Sequence, residues 1–159
     1  MTSGRDQHIH AVGNESALWY LGSLVTIKAS REQTGNAFGL LDELLPAGFA
    51  TPMHIHQHED ESFYIIDGSV SFVCGAQQWT AGPGACIFLP RGIVHGFKAR
   101  QPTHMLNLLT PGGFENFFKE LGEPAQAPTL PPAGPPPDVA KLVSVAGKYH
   151  VEIVGPPLD

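Results

Sequence analysis

Residues 48–68 read GFATPMHIHQHEDESFYIIDG, and their spacing decides how the rest of the chain is understood. In a strand, residues i and i+2 share a face, so His54 and His56 can point at one ion. Glu61 stands five residues beyond His56, which on an unbroken strand would put it on the opposite face. A turn or bulge within Gln57–Asp60 resets the parity, and Glu61 then opens the next strand facing inward with Phe63 and Ile65. His58 shares the parity of His54 and His56, so a strand presenting three histidines is a competing arrangement. His95 follows the tight segment Pro90-Arg91-Gly92 and can close a coordination sphere from another hairpin. Three imidazoles and one carboxylate suit one divalent transition ion, Fe, Ni, Mn, Co or Zn, with positions left open.

Outward from this stretch, the chain has the texture of a turn-rich β protein. Short apolar runs at Phe63–Ile66, Val70–Val73, Ala85–Leu89, Phe97–Ala99 and Met105–Leu109 are separated by Asp67-Gly68 and Gly82-Pro83-Gly84. Upstream, Leu18–Ser30 has the β-branched and aromatic content of a strand, and Arg31–Asn36 reads as a turn. Ala37–Leu45 suits a strand or, through Leu40, Leu41, Leu44 and Leu45, a helical face. Many short strands spaced by Gly and Pro indicate a sandwich or barrel. Downstream, Phe114, Phe117, Phe118 and Leu121 recur at helical spacing after Pro111-Gly112-Gly113. Residues 124–137 then hold seven prolines and read as an extended strap. Asp138 is a natural N-cap for a second short helix over Val139–Lys148. The organisation expected is an N-terminal arm (1–17), a β-barrel with its following helix (18–121), and a proline-rich strap with a C-terminal segment (122–159).

Composition narrows the function. The 159 residues carry 9 Lys and Arg against 15 Asp and Glu, a formal charge of −6, which leaves no basic face for nucleic acid. No apolar run reaches the roughly 20 residues that span a bilayer. The first residues lack the apolar core of an export signal, so the expected compartment is the cytoplasm, with Cys74 and Cys86 reduced and buried. His8, His10 and His150 are expected to face solvent, Arg91 to be a solvated turn residue, and Trp19 and Trp79 to pack.

The two histidine segments resemble the paired motifs of the cupin family. Gly48, His54, His56, Glu61 and Gly68 fit the first motif, Gly-x5-His-x-His-x4-Glu-x6-Gly. Gly84, Pro90, Gly92 and His95 fit the second, Gly-x5-Pro-x-Gly-x2-His-x3-Asn, except that Ala99 replaces the final Asn. The flanks LGSLVTIKASREQTGNAFGLLDELLP and TPGGFENFFKELGEPA are similar to those of small bacterial quercetinase-like cupins. The resemblance implies an all-β single-domain cupin, a double-stranded β-helix (jelly-roll) barrel with short C-terminal helices, and a strand over Ala37–Leu45. It implies metal ligands His54, His56, Glu61 and His95, with Glu61 preferred to His58 and acting also as catalytic base.

The same resemblance implies a dioxygenase that cleaves a flavonol or related aromatic enol with O2. Phe63, Ile65, Phe97 and Phe38 are then candidates for an apolar substrate pocket. The other readings are a non-oxidative metal cupin, such as an aromatic polyketide cyclase or isomerase, and a non-catalytic small-molecule-binding cupin. A homodimer is expected, because a single barrel leaves an edge strand to cover.

Overall fold

The structure, a computed structural model, describes residues 16–159. The expected arm therefore lies outside the described residues except for Ser16 and Ala17. The expected long strand Leu18–Ser30 is instead a hairpin, β1 (Ala17–Tyr20) and β2 (Ser23–Ala29). Its two-residue turn holds Leu21 and Gly22 at φ of 48° and 85°. Both central residues of a tight hairpin turn of this hand need positive φ, and the leucine hid that signal. The turn expected at Arg31–Asn36 begins as one helical turn, α1 (Arg31–Thr34), because Ser30 and Gln33 form a reciprocal capping box.

β3 (Gly39–Leu45) alternates buried and half-buried residues strictly, so period two prevails over the helical alternative. The strands that follow are β4 (Pro52–His56), β5 (Asp60–Asp67), β6 (Val70–Cys74), β7 (Gln77–Ala81), β8 (Cys86–Leu89), β9 (His95–Ala99) and β10 (Thr103–Thr110). After them come α2 (Glu115–Leu121), the two-residue β11 (Glu123–Pro124), α3 (Val139–Lys148) and β12 (Val151–Pro157). β7 has no apolar run because it lies at the outer edge of its sheet and four of its five residues are exposed.

All pairings are antiparallel, in a seven-stranded sheet ordered β11-β1-β2-β3-β10-β5-β8 and a five-stranded sheet ordered β12-β4-β9-β6-β7. Two packed sheets with this non-sequential order make the expected jelly-roll barrel. One core cluster gathers Phe63, Phe72 and Phe97 between the sheets. The second joins Tyr20, Leu41 and Leu109 to Phe114, Phe117 and Phe118 at α2 and to Leu142, Val145 and Ala146 of α3. The C-terminal segment thus belongs to the barrel wall. Asp138 caps α3 by accepting from the Lys141 N–H, and β12 then pairs with β4. The proline strap crosses the surface, tied where the Trp19 indole N–H donates to the Thr129 carbonyl at 2.8 Å.

Two motif glycines have steric reasons. Gly68 has φ +96°, and a Cβ there would lie 2.5 Å from the Pro102 carbonyl oxygen. Gly92, at φ +79°, turns the chain into β9 and donates its N–H to the His56 carbonyl at 2.8 Å, coupling the two motifs. Both cysteines are unpaired, but neither is buried: Cys74 is half-buried and Cys86 exposed. On β8 the inward positions belong to Ile87 and Leu89, which leaves Cys86 facing out. Trp79 is likewise exposed rather than packed.

Candidate metal centre

β4 ends at His56 and β5 begins at Asp60, so the chain turns within the segment where parity had to reset. Glu61, Phe63 and Ile65 then all face inward and are buried. His54 and His95 are direct cross-strand partners on β4 and β9, with ring centroids 4.5 Å apart. Three histidines from the five-stranded sheet thus meet one carboxylate from the seven-stranded sheet. The ligand-capable atoms of His54, His56, Glu61 and His95 all lie within 4.8 Å of one another. His58 is outside this group, its exposed ring stacked on that of His150 at 4.0 Å.

The surrounding hydrogen bonds set which nitrogen each histidine presents. His54 Nδ1 donates to the Pro52 carbonyl at 2.7 Å and His95 Nδ1 to the Ile93 carbonyl at 3.1 Å. His56 Nδ1 faces the buried Glu59 carboxylate at 3.4 Å. With those protons committed, all three rings offer an Nε2 lone pair to the centre. His95 Nε2 then sits 2.8 Å from Glu61 Oε2. His56 Nε2, buried and without a hydrogen-bond partner, is 3.3 Å from the same oxygen. Lone pairs aimed at a carboxylate oxygen repel unless a proton or cation lies between them. The donor set and the orphaned His56 nitrogen therefore fit a divalent transition ion.

Electrostatics agree with that reading. Burial alone would raise the Glu61 carboxyl, yet the imidazoles of His56, His95 and His54 hold it well below the usual carboxylate range. Burial and the neighbouring His95 and His56 push the His54 imidazole down to about 4, which keeps it a neutral ligand. Burial pulls His56 down as well, but Glu61 and Glu59 outweigh it and leave it raised, so negative charge draws a cation to this spot. Asn107 donates its amide to Glu61 Oε1 at 3.0 Å and fixes the carboxylate plane. Arg91 is more than a solvated turn residue: its guanidinium grips Asp60, next to Glu61, at 3.0 and 3.1 Å and reaches the Thr110 carbonyl.

A largely apolar pocket opens onto His54, His56 and Glu61. Phe97 lines it, whereas Phe63 and Ile65 are buried in the inter-sheet core and Phe38 stands outside the lining. Phe114, Phe117 and Phe118, with Leu142 and Ala146 of α3, supply much of its apolar lining. Phe114 packs edge-on against the His56 ring at 4.5 Å. The helical spacing of these phenylalanines marked an apolar face without showing what it would cover.

Glu43 also faces the pocket, and burial together with the charges of Glu61 and Asp42 pushes its carboxyl up to about 8. Between the ordinary carboxylate pKa and 8 the native state holds a proton that the unfolded chain has released. This contribution to stability is full at acid pH and is lost as pH rises through 8. In metal-stripped protein, Glu43→Gln is therefore expected to raise Tm relative to the parent more at pH 8 than at pH 5, by calorimetry. An equal change at both pH values would contradict it.

Residues 41–109 match the cupin domain family. The chain is 29% identical over 106 residues to a quercetin 2,3-dioxygenase of Bacillus subtilis, covering 66% of this chain and 32% of that protein. It is 33% identical over 107 residues to the quercetin 2,3-dioxygenase of Aspergillus japonicus, covering 62% and 31%. The chain thus spans about a third of the length of these relatives. Among solved structures, an RmlC-like cupin from Shewanella frigidimarina superposes with a TM-score of 0.58 at 14% identity, covering 69% of this chain and 95% of that one.

Proposed function

We propose, starting from the cupin fold that this chain has, that it is a metal-dependent dioxygenase cleaving a flavonol or related aromatic enol with O2. The observation that carries this reading is the largely apolar pocket ending on His54, His56 and Glu61, with His95 completing the cluster and Asn107 donating to the Glu61 carboxylate. A divalent ion held by His54, His56, Glu61 and His95 would supply open positions where a substrate oxygen is bound and polarised and where O2 chemistry is promoted.

The chain's own residues supply the rest. Phe97, Phe114, Phe117 and Phe118 offer flat apolar surface to a planar aromatic and exclude water from it. A flavonol entering with its 3-hydroxyl towards the histidines brings that proton to Glu61, the carboxylate of the cluster, which the neighbouring imidazoles hold ionised. Asn107 donates to Oε1 and keeps the carboxylate from turning while the proton is transferred. Glu59 and the Pro52 and Ile93 carbonyls keep the three rings in register while charge develops on the substrate. Deprotonation makes the substrate an electron-rich enolate, and addition of O2 across its central ring releases carbon monoxide.

Protein reconstituted separately with iron, nickel, cobalt, manganese and zinc is expected to consume O2 on addition of quercetin with at least one redox-active ion, read by an oxygen electrode. Metal bound at full occupancy with no uptake for any of them would contradict the reading and favour a non-oxidative cyclase or a binding protein.

The reading includes a cytoplasmic homodimer. No described helix is long and apolar enough to cross a membrane. Tyr64, Ile66 and Phe88 are exposed together on neighbouring strands at the β8 edge of the larger sheet. Light scattering is expected to give twice the 17.0 kDa chain mass, and a monomer would remove the dimer.

A further inference from the structure

The pocket contains two buried polar atoms that the metal cluster leaves unused. Glu43 is 4% exposed and Asn107 3%, and both line the cavity. Glu43 Oε2 has no hydrogen-bond partner, and neither does Asn107 Oδ1, whose amide nitrogen is committed to Glu61. A buried polar atom without a partner is unfavourable, and an apolar residue of similar size would be tolerated better there. Two such atoms in one largely apolar cavity, away from its histidines, mark a place kept for a ligand's polar group.

The sheet register places them. Leu109 lies opposite Glu61, Asn107 opposite Phe63 and Leu41, and Met105 opposite Ile65 and Glu43. Glu61, Asn107 and Glu43 therefore occupy three successive inward-facing rows leading away from the metal-binding cluster. A rigid ligand anchored at Glu61 and extended along the sheet passes Asn107 and arrives at Glu43.

We infer that Glu43 and Asn107 form a second polar recognition point, which hydrogen-bonds a hydroxyl group on an elongated, polyhydroxylated aromatic ligand away from its metal-directed end. A phenolic hydroxyl suits the pair because it donates to Asn107 Oδ1 or a Glu43 oxygen and also accepts. A bare hydrocarbon edge leaves both atoms unpaired. The inference rests on the flavonol reading and adds to it the substrate's hydroxylation as the feature selected. Selection of this kind is strong because the penalty falls on the protein's own buried groups when the hydroxyl is missing.

The test uses metal-loaded protein without oxygen, so that no turnover occurs, and measures dissociation constants by absorbance titration. The probes are quercetin and 3-hydroxyflavone, which share the 3-hydroxyl and 4-carbonyl but differ in every other hydroxyl. The parent is expected to bind quercetin about tenfold more tightly than 3-hydroxyflavone. Glu43→Met is expected to remove most of that preference by weakening quercetin alone, to restore none of it for 3-hydroxyflavone, and to raise Tm. Glu43→Gln, which still hydrogen-bonds, is expected to retain the preference.

An unchanged preference in Glu43→Met, or equal loss of affinity for both probes, overturns the inference while leaving the flavonol reading in place. A Glu43→Met chain that fails to fold also overturns it, because the side chain would then have a structural partner. Failure of the parent to bind either flavonol overturns the flavonol reading and this inference with it.

Discussion

His54→Ala is expected to lower the metal content of purified protein from about one ion per chain to less than about a tenth, while the barrel stays folded. His54 is only half-buried, and its ring donates to the Pro52 carbonyl within its own strand and otherwise packs on the fellow ligands His56 and His95. Removing it takes one of four donors and leaves the core clusters intact. Elemental analysis beside a circular dichroism melt checks this, and a fully metal-loaded His54→Ala protein would contradict the ligand assignment. His56 is a poorer choice for the experiment. It is fully buried, packs against Phe114 and faces Glu59, so its loss would strand a buried carboxylate and confound metal loss with unfolding.

Glu61→Gln is expected to lower turnover of a flavonol by about 10²–10⁴-fold at saturating metal, the range over which a positioned base acts. The amide matches the carboxylate in size and can still accept from Asn107 through its oxygen, so the pocket is kept. It can no longer take a proton. The direct signature is spectroscopic: anaerobic flavonol bound to the parent should show the red-shifted absorbance of its deprotonated form, and flavonol bound to Glu61→Gln should not. Turnover in the variant within about threefold of the parent would remove Glu61 as the base.

These two experiments probe the part of the molecule that its sequence made most legible. Strand parity linked His54 to His56, and the need to reset parity before Glu61 located the turn that ends β4 and begins β5. His95 was legible because a tight proline-glycine segment preceded it, and its pairing with His54 follows from the barrel. Preference for Glu61 over His58 came from resemblance, and its physical reason emerges only in three dimensions. His58 falls in the turn after β4 and stacks outward on His150, so shared parity does not reach it.

The pocket walls were far less legible. They come from strands as far apart in the chain as β1, β9 and β12 and from α2 and α3, and no local period reports that Leu142 and Phe97 line one cavity. Apolar residues of the motif, Phe63 and Ile65, lie in the inter-sheet core because inward-facing positions of a barrel serve packing as readily as binding. Glu43 was hidden by its neighbour. Asp42-Glu43 amid leucines reads as one solvated acidic pair, and only the alternation of β3 separates a half-buried Asp42 from a buried Glu43. The β1–β2 turn carries a weak local signal because Leu21 occupies a left-handed position that Asn or Gly would announce.

Mass spectrometry of the products formed from quercetin under ¹⁸O₂ decides whether this centre acts as the proposed dioxygenase, inserting both atoms of O2 into an aromatic enol. A ring-opened product carrying two ¹⁸O atoms is expected, with one unlabelled carbon monoxide per molecule cleaved, since the carbon that leaves keeps its own hydroxyl oxygen. Metal-loaded protein that returns quercetin unchanged, or yields a product without label, would contradict it.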